Sequence, residues 1–346
     1  MNVKDGIVDA IGNTPLIKLK QASEITGCTI LGKAEFMNPG QSVKDRAGRQ
    51  MILGAEARGE LRPGGLVVES TAGNTGIGLA LVANARGYRT LIVIPDTQSQ
   101  EKKDMLRLCG AELIEVPALP FANPNNYQHV GRRLADELRK TEKNGVLFAD
   151  QWNNLDNRKA HYLSTGPEIW RDTGGRIDGF ICAVGTGGTL AGTSTYLREQ
   201  KNDIAIGVAD PRGAAMYHLF KDGTPKVTEG GSIAEGIGLA RVTPIIEDIR
   251  VDHSYLIPDE EAVPLIFETL EHEGLCLGGS SGVNIAGAIR LAKDLGKGAT
   301  IVTVLCDYGN RYQSKLFNPD FLRSKNLPVP DFLTRKSDIK PPFEKV

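Results

Sequence analysis

The chain of 346 residues has 40% hydrophobic and 24% charged residues and a formal net charge of -1, which is typical of a soluble globular protein. This balanced charge excludes the strongly basic profile of a nucleic-acid or acidic-membrane binder. No stretch reaches the roughly 20 apolar residues of a membrane span. At roughly 150 residues per domain, the length predicts two domains.

Five cysteines without a Cys-x-x-Cys pair predict free thiols, and the five histidines show no metal-ligand spacing. The N-terminal residues lack the apolar segment of a signal peptide. We therefore expect a cytoplasmic protein that holds no metal.

The first chemically distinctive stretch is the string NPGQSVKDR at residues 38–46. A strand predicted over 30–36 leads into its Asn-Pro-Gly turn, and the apolar spacing that follows predicts a helix over 43–58. Ser42 is predicted to cap this helix and Lys44 to lie in its first turn. An amine at such a position is a candidate nucleophile. The alternative is a solvated lysine paired with Asp45.

The next elements alternate between strands and helices. Strands are predicted over 66–69, 90–94, 112–116 and 146–149, and helices over 79–86, 100–108 and 128–142. This alternation predicts a parallel sheet with helices on its faces.

The second half repeats this pattern after a polar stretch at 150–158. Helices are predicted over 160–171, 190–200, 259–273 and 283–295, and strands over 179–183, 204–209, 275–277 and 300–305. Glycine-rich loops are predicted at 185–189 and 278–282, and a longer loop runs to 238. The segment after 317 is rich in proline and is predicted to lie on the surface.

Two of the loops suggest a cofactor. The string GTGGT at 185–189 offers backbone N–H groups at a helix N-terminus, which suits a phosphate, although a turn that serves only packing is the alternative. A lysine on one loop and a phosphate cradle on another suit a cofactor with both an aldehyde and a phosphate. Pyridoxal 5'-phosphate has both groups.

A dinucleotide site is the competing interpretation. Gly73, Gly76 and Gly78 lie between a predicted strand and helix, and Asp96 follows the next strand. However, the order of these glycines is the reverse of the G-x-G-x-x-G that a pyrophosphate turn requires. A NAD-dependent dehydrogenase is therefore the weaker alternative.

The sequence resembles the cysteine synthase and cystathionine β-synthase family of pyridoxal-phosphate enzymes, which have the tryptophan-synthase-type fold. Seven strings carry the resemblance in the family's order: IGNTPL at 11–16, NPGQSVKDR at 38–46, GNTG at 73–76, TGPEI at 165–169, GTGGT at 185–189, EGIG at 235–238 and GSSG at 279–282. It implies an α/β protein of PLP fold type II, with two three-layer αβα domains, mostly parallel sheets and the cofactor in the cleft between them. The expected domains are a smaller mobile one at 37–149, a larger one at 11–36 and 150–316, and a tail at 317–346.

The resemblance also implies roles for individual residues. Lys44 would form the Schiff base and move the proton at the substrate α-carbon, Asn74 would bind the cofactor's phenolic oxygen, and Ser280 would face its pyridine nitrogen. The expected phosphate-binding residues are Gly185, Thr186, Gly187, Gly188 and Thr189. The expected substrate-binding residues are Thr71, Ala72, Gly73, Asn74, Gln151 and Gly236.

The implied reaction is the formation of L-cysteine from O-acetyl-L-serine and sulfide through an aminoacrylate, in a homodimer. Cysteine breakdown to sulfide, pyruvate and ammonia, or a cystathionine β-synthase-type condensation, are alternatives. Ala72 stands where the family usually has a serine, and the strings DQW at 150–152 and DP at 210–211 resemble cystathionine β-synthases. These departures leave the β-substituted amino acid and the nucleophile open.

Overall fold

The computed structural model describes residues 3–71 and 73–339, which contain two β-sheets. Their strands are β1 (Leu16–Lys18), β2 (Thr29–Ala34), β3 (Leu66–Ser70), β4 (Arg89–Pro95), β5 (Glu112–Val116), β6 (Val146–Phe148), β7 (Gly179–Cys182), β8 (Ala205–Pro211), β9 (His253–Ile257) and β10 (Thr300–Leu305). The larger sheet has the order β1-β2-β10-β7-β8-β9, and the smaller sheet has the order β5-β4-β3-β6.

Strand pairing is parallel in both sheets, apart from the antiparallel pair of β1 and β2. In the larger sheet, β2 lies beside β10 with Thr29 opposite Thr300, so strands from both ends of the chain meet. The smaller sheet is built only from strands within 66–148. The predicted α/β fold with mostly parallel sheets is therefore confirmed.

Helices connect most of these strands. They are α1 (Ile7–Ala10), α2 (Lys20–Thr26), α3 (Lys44–Ala57), α4 (Asn74–Arg86), α5 (Gln100–Leu108), α6 (Tyr127–Leu138), α7 (Asp156–Ala160), α8 (Gly166–Asp172), α9 (Gly188–Gln200), α10 (Met216–Asp222), α11 (Asp259–Glu273), α12 (Gly279–Leu295) and α13 (Pro319–Ser324). A π-helical turn, His161–Thr165, joins α7 to α8, and three short 3-10 turns occupy Glu35–Met37, Gly309–Tyr312 and Asp331–Leu333. Within 3–71 and 73–339, no helix has the length and apolar character needed to cross a membrane.

Both faces of each sheet are covered, because alternate strand residues point into separate hydrophobic cores. In β7, Phe180 and Cys182 pack into one core and Ile181 packs into the core on the opposite face. In β3, Val67 packs with residues of α3 and α4, whereas Val68 packs with α6. Each sheet is thus the middle layer of three.

Most predicted elements occur where the patterns place them, and four have the predicted bounds: Gln100–Leu108, Glu112–Val116, Asp259–Glu273 and Thr300–Leu305. The strand predicted over 275–277 is wrong, since Leu277 forms only an isolated bridge with Tyr308. The loop predicted over 278–282 is also wrong, because α12 already begins at Gly279. Two elements are not predicted from the sequence: α10, which lies in the predicted loop before 238, and β9.

The segment after 317 packs against α11 as far as the structure describes it. Leu322 of α13 is fully buried and Leu327 is nearly so. Both belong to a cluster with Val263 and Phe267 of α11. The expectation of a segment lying only on the surface is therefore wrong for this part, whereas 340–346 lie outside the described residues.

Candidate active site

Lys44 is the first residue of α3, directly after the Asn-Pro-Gly turn. The turn is tight: Gln41 has a φ of 60°, and the backbone N–H of Gly40 donates to the carboxylate of Asp45. The prediction that Ser42 caps the helix is wrong by one residue, since Val43 occupies the cap position; the Ser42 hydroxyl nevertheless accepts from the Lys44 N–H at 3.3 Å. The local structure therefore presents Lys44 at a break between turn and helix, as predicted.

The alternative of an ion pair between Lys44 and Asp45 is not formed in the described structure. Asp45 is fully buried and turns back toward Gly40 and Ser42 instead of toward the lysine. Burial raises the pKa of the Asp45 carboxyl to about 7, against the opposing effect of the Gly40 N–H. Asp45 thus closes the turn and leaves the amine of Lys44 to the pocket.

A buried ionic cluster anchors α3 close to Lys44. The Arg46 guanidinium donates to Glu35 at 2.7 and 2.8 Å and to both oxygens of Glu168 at 2.7 Å. Lys33, also fully buried, lies 2.8 Å from Glu168. Burial alone would raise the pKa of both carboxyls, but Arg46 outweighs it and lowers the pKa of Glu168 to about 2. The cluster ties α3 to β2 and α8, two residues from the candidate nucleophile.

The predicted phosphate loop connects β7 to the start of α9. Gly187 has a φ of +97°, which favours glycine, and a Cβ on Gly185 would lie 2.3 Å from the carbonyl oxygen of Gly236. Asn157 donates to the Thr186 hydroxyl at 2.8 Å. The first N–H groups of a helix have no partner within that helix, so this end of α9 can bind an anion. The cradle therefore fits a phosphate group.

A buried histidine, His161, also supports this loop. The ring Nε2 of His161, in the π-helical turn, lies 3.3 Å from the Thr189 hydroxyl, and Nδ1 lies 2.8 Å from Thr165. Burial, together with the nearby charge of Arg46, lowers the pKa of His161 to about 3. The imidazole is thus neutral at physiological pH and positions the last residue of the loop by hydrogen bonding.

Asn74, the first residue of α4, is held by two residues that the sequence analysis missed. Its amide donates to Asp307 at 2.7 Å and accepts from Arg311. Burial raises the pKa of the Asp307 carboxyl, and its Oδ1 has no hydrogen-bond partner among the described residues. These contacts orient the Asn74 amide, leaving one of its N–H groups for a ligand. The only sequence signal for Asp307 and Arg311 is that they lie within six residues of the end of β10.

The predicted carboxylate-binding residues lie at the carboxyl end of β3 and after β6. Thr71 and Gln151 are buried, and the Thr75 hydroxyl donates to Gln151 at 2.6 Å. Gly73 caps the start of α4. Ala72 lies outside the described residues. These residues can present hydroxyl, amide and backbone donors to one carboxylate.

Ser280 lies in the first turn of α12 and is buried. It neighbours Cys306, whose thiol pKa is raised to about 11 by burial, so the thiol is neutral. Because neither Ser280 nor the Cys306 thiol carries a charge, the Ser280 hydroxyl can hydrogen-bond an uncharged ring nitrogen. Cys306 was not predicted as a site residue, although it follows β10 directly.

One cavity of about 600 Å³ brings most of the predicted residues together. The predicted residues that line it are Lys44, Thr71, Gly73, Asn74, Gln151, Gly185, Thr186, Gly236 and Ser280. A smaller adjoining cavity is lined by Lys44, Gly185, Thr186, Gly187 and Thr189. Gly188 lines neither of these two cavities and forms the first residue of α9.

An ion pair at the same cavity connects α5 to the loop before β9. Lys102 of α5 contacts Glu235, which also lies 2.7 Å from Lys315. All three line the cavity. Glu235 belongs to the EGIG string, but the two lysines lie in surface-like sequence and gave no signal.

The chain is similar to several known enzymes. The family model for "Pyridoxal-phosphate dependent enzyme" matches residues 7–307. Cysteine synthase 1 of Neurospora crassa is 49% identical over 339 residues, which are 96% of this chain and 89% of that protein. The crystal structure of an O-ureido-L-serine synthase has a TM-score of 0.80 at 31% identity, covering 93% of this chain and 99% of that one. An O-acetylserine dependent cystathionine beta-synthase from Helicobacter pylori has a TM-score of 0.79 at 32% identity, covering 91% and 99%.

Two parallel-sheet units of three αβα layers each, together with these structural neighbours, define a fold type II enzyme. The chain belongs to the family of pyridoxal-phosphate dependent enzymes, and its cofactor is pyridoxal phosphate. The predicted resemblance is therefore confirmed, and the dehydrogenase alternative is set aside.

Proposed function

We propose that this protein catalyses β-replacement, forming L-cysteine from O-acetyl-L-serine and sulfide. The observation that supports this most directly is that Lys44 lines one cavity together with Thr71, Gln151 and the first two residues of the loop at 185–189. The identity to a cysteine synthase over 96% of the chain supports the same reaction.

The residues present fit the cofactor. Lys44 would hold its aldehyde carbon, the start of α9 with Thr186 and Thr189 its phosphate, Asn74 its phenolic oxygen and Ser280 its ring nitrogen. When bound there, pyridoxal phosphate supplies an electron sink for the bonds at the α-carbon of an amino acid.

The chain's own residues would perform the remaining work. Thr71, the backbone at 71–74 and Gln151 would bind the substrate carboxylate, which places the α-carbon beside Lys44. The Lys44 amine would then remove the α-proton, so that the β-substituent can leave, and sulfide would take its place. Lys102 and Glu235 contact each other at the cavity wall and would help to exclude water while sulfide adds.

A condensation of the cystathionine β-synthase type is the second candidate, because one structurally similar enzyme is described as an O-acetylserine dependent cystathionine beta-synthase. Cysteine breakdown is a third reaction of the same class. A product assay on the purified holoenzyme separates them by offering O-acetylserine, O-phosphoserine, serine or cysteine, each with sulfide, with homocysteine or with neither.

We expect L-cysteine from O-acetylserine and sulfide as the fastest reaction. Cystathionine as the main product, or pyruvate without any cysteine synthesis, would reject the proposed activity. Because all arms use the same enzyme preparation and the same yellow cofactor, inactive protein is recognised by failure in every arm.

We also propose the mobile unit at 37–149, the larger unit at 11–36 and 150–316, a homodimer and a cytoplasmic location. The separate four-stranded sheet supports the first boundary, and the five free cysteines suit a reducing compartment. Light scattering of the purified protein tests the dimer, and fractionation of cells tests the location.

A further inference from the structure

Glu69 is a buried acid beneath the cavity to which the reaction has so far given no role. It is the fourth residue of β3, and its side chain is 1% exposed. Its Oε1 accepts from the Gln151 side-chain amide at 3.3 Å. Its Oε2 has no hydrogen-bond partner within the part of the chain that the structure describes. Burying a carboxyl costs free energy unless its oxygens are hydrogen-bonded, so the unpartnered Oε2 of Glu69 calls for a functional explanation.

The second partner of Gln151 determines which way its amide points. The Thr75 hydroxyl lies 2.6 Å from Gln151 Oε1, and the Nε2 atom lies toward Glu69. A primary amide has two N–H donors, so one is engaged by Glu69 and the other remains for a ligand. Gln151 lines the cavity together with Lys44. The pair of Glu69 and Thr75 therefore fixes a donor at the cavity wall.

We propose that Glu69 is a positioning residue for the carboxylate of the amino-acid substrate: through Gln151 it aims an N–H group at that carboxylate, and it does so as a neutral acid. The inference rests on the proposed role of Gln151 in substrate binding. It deepens the proposed function by assigning the residue that prepares the site for a carboxylate.

Burial and the nearby charge of Asp150 favour the neutral form of Glu69. Burial raises the pKa of Glu69 to about 8, the nearby charge of Asp150 adds to this, and the Gln151 N–H groups oppose it. A carboxyl with this pKa is protonated at pH 7 and loses its proton as the pH rises through 8. The ionised form would place a negative charge beside the site of the substrate carboxylate.

Other ionisable groups come from each neighbouring element. Arg132 of α6 pairs with Asp150. Tyr127, at the start of α6, has a pKa raised by burial and by the charge of Glu69. Arg241 stacks on Phe121 with its guanidinium 4.0 Å from the ring centre. From α3, Lys44 reaches the same cavity, whereas the first turn of α4 carries no charged residue. In the described structure none of these cations forms an ion pair with Glu69.

The test measures ligand binding to the holoenzyme without turnover. L-alanine has the carboxylate but no leaving group, and L-alaninamide lacks the carboxylate charge; both are titrated against the cofactor absorbance. At pH 7, Glu69→Ala should weaken L-alanine binding roughly tenfold and leave L-alaninamide within about twofold, since one oriented hydrogen bond to a charge is lost. Glu69→Gln has a similar size and can still accept from Gln151, so it should restore most of the lost affinity.

The pH profile provides a readout that a merely structural role would not change. Between pH 7 and 9, the affinity of the wild type for L-alanine should fall relative to that of Glu69→Gln, by roughly tenfold if one like charge appears nearby. The titration of the ligand and of the cofactor affects both proteins equally. Parallel profiles for the two proteins would overturn the neutral-acid part of the proposal.

Two further outcomes would overturn the positioning role itself. One is an equal loss of L-alanine and L-alaninamide binding in Glu69→Ala, since that would indicate general damage to the site. The other is unchanged L-alanine binding in Gln151→Ala, which would remove Gln151 from the carboxylate site. Because no product is formed in these titrations, a failure of the cysteine-synthesis assay is distinguishable from a failure here.

Discussion

Replacing Arg46 with methionine should be among the most destabilising single changes near the active site. Arg46 is 2% exposed and donates to both oxygens of Glu35 and both oxygens of Glu168. Its removal leaves Glu35 with only Thr14 and Asn38 as neutral partners. Breaking a buried ion pair by removing one partner costs about 3–5 kcal/mol, so we expect a loss of that size in the free energy of unfolding at pH 7.

The loss should depend on pH in a defined direction. In the wild type, Arg46 outweighs the effect of burial and holds the pKa of Glu168 at about 2, below its ordinary value of 4.5. The stabilisation from this pair is therefore complete above pH 4.5 and is lost only as the pH falls toward 2. In Arg46→Met, Glu35 loses its counter-charge and takes up a proton when the pH is lowered. The difference between the two proteins should thus be smaller at pH 5 than at pH 7.

Urea unfolding of both holoenzymes, followed by circular dichroism and by the cofactor absorbance at pH 5 and pH 7, measures this difference. Glu35→Gln in the Arg46→Met background is the matched control and should recover part of the loss, since it removes the uncompensated charge. A loss below about 1 kcal/mol at pH 7, or a difference that does not change with pH, would refute the reasoning.

Three further predictions follow from the same structure. Lys44→Ala should remain folded and lower turnover by roughly 10³-fold or more, and borohydride should attach the cofactor to the wild-type peptide that contains Lys44, as read by mass spectrometry; turnover retained in the variant would remove this lysine from the reaction. Gly185→Ala should release the cofactor on dialysis, because its Cβ would lie 2.3 Å from the Gly236 oxygen, whereas Gly231→Ala, with no atom within 4 Å, should retain it; equal retention in both would argue against the cradle. Leu322→Ala should cost about 2–5 kcal/mol of unfolding free energy because the side chain is fully buried, while Ile339→Ala, 85% exposed, should change it by less than about 0.5 kcal/mol. Equal stability of these last two variants would mean that the segment after 317 is not part of the cooperative fold.

Local patterns in the sequence predict much of this fold, because the spacing of apolar residues along each segment determines whether a helix or a strand can bury them. The helix Asp259–Glu273 and the strand Thr300–Leu305 have the predicted bounds. The placement of Lys44 could be predicted because the turn before it depends on Asn-Pro-Gly chemistry. In contrast, the GSSG string at 279–282 was interpreted as a loop from its glycines and serines, yet it forms the buried first turn of α12.

The contacts that complete the site could not be predicted, since they join residues far apart in the chain. Arg46 and Glu168 are 122 residues apart, and Asn74 and Asp307 are 233 apart. A short sequence pattern cannot predict such contacts, because the residues are brought together only by the tertiary structure. The role proposed for Glu69 could not be predicted from the sequence either, because it depends on a contact with Gln151, which lies 82 residues later in the chain.

The pairing of β2 with β10 has a consequence for how the chain is made. Thr29 and Thr300 are neighbours in the larger sheet, so this sheet cannot close until β10 has been synthesised and has left the ribosome. The four-stranded sheet within 66–148 needs no later strand and can form while synthesis continues. A chain released before residue 300 would leave the edges of β2 and β7 unpaired and open to association with other chains. Synthesis would therefore complete the smaller sheet first, and the lysine would meet its phosphate cradle only in the final step.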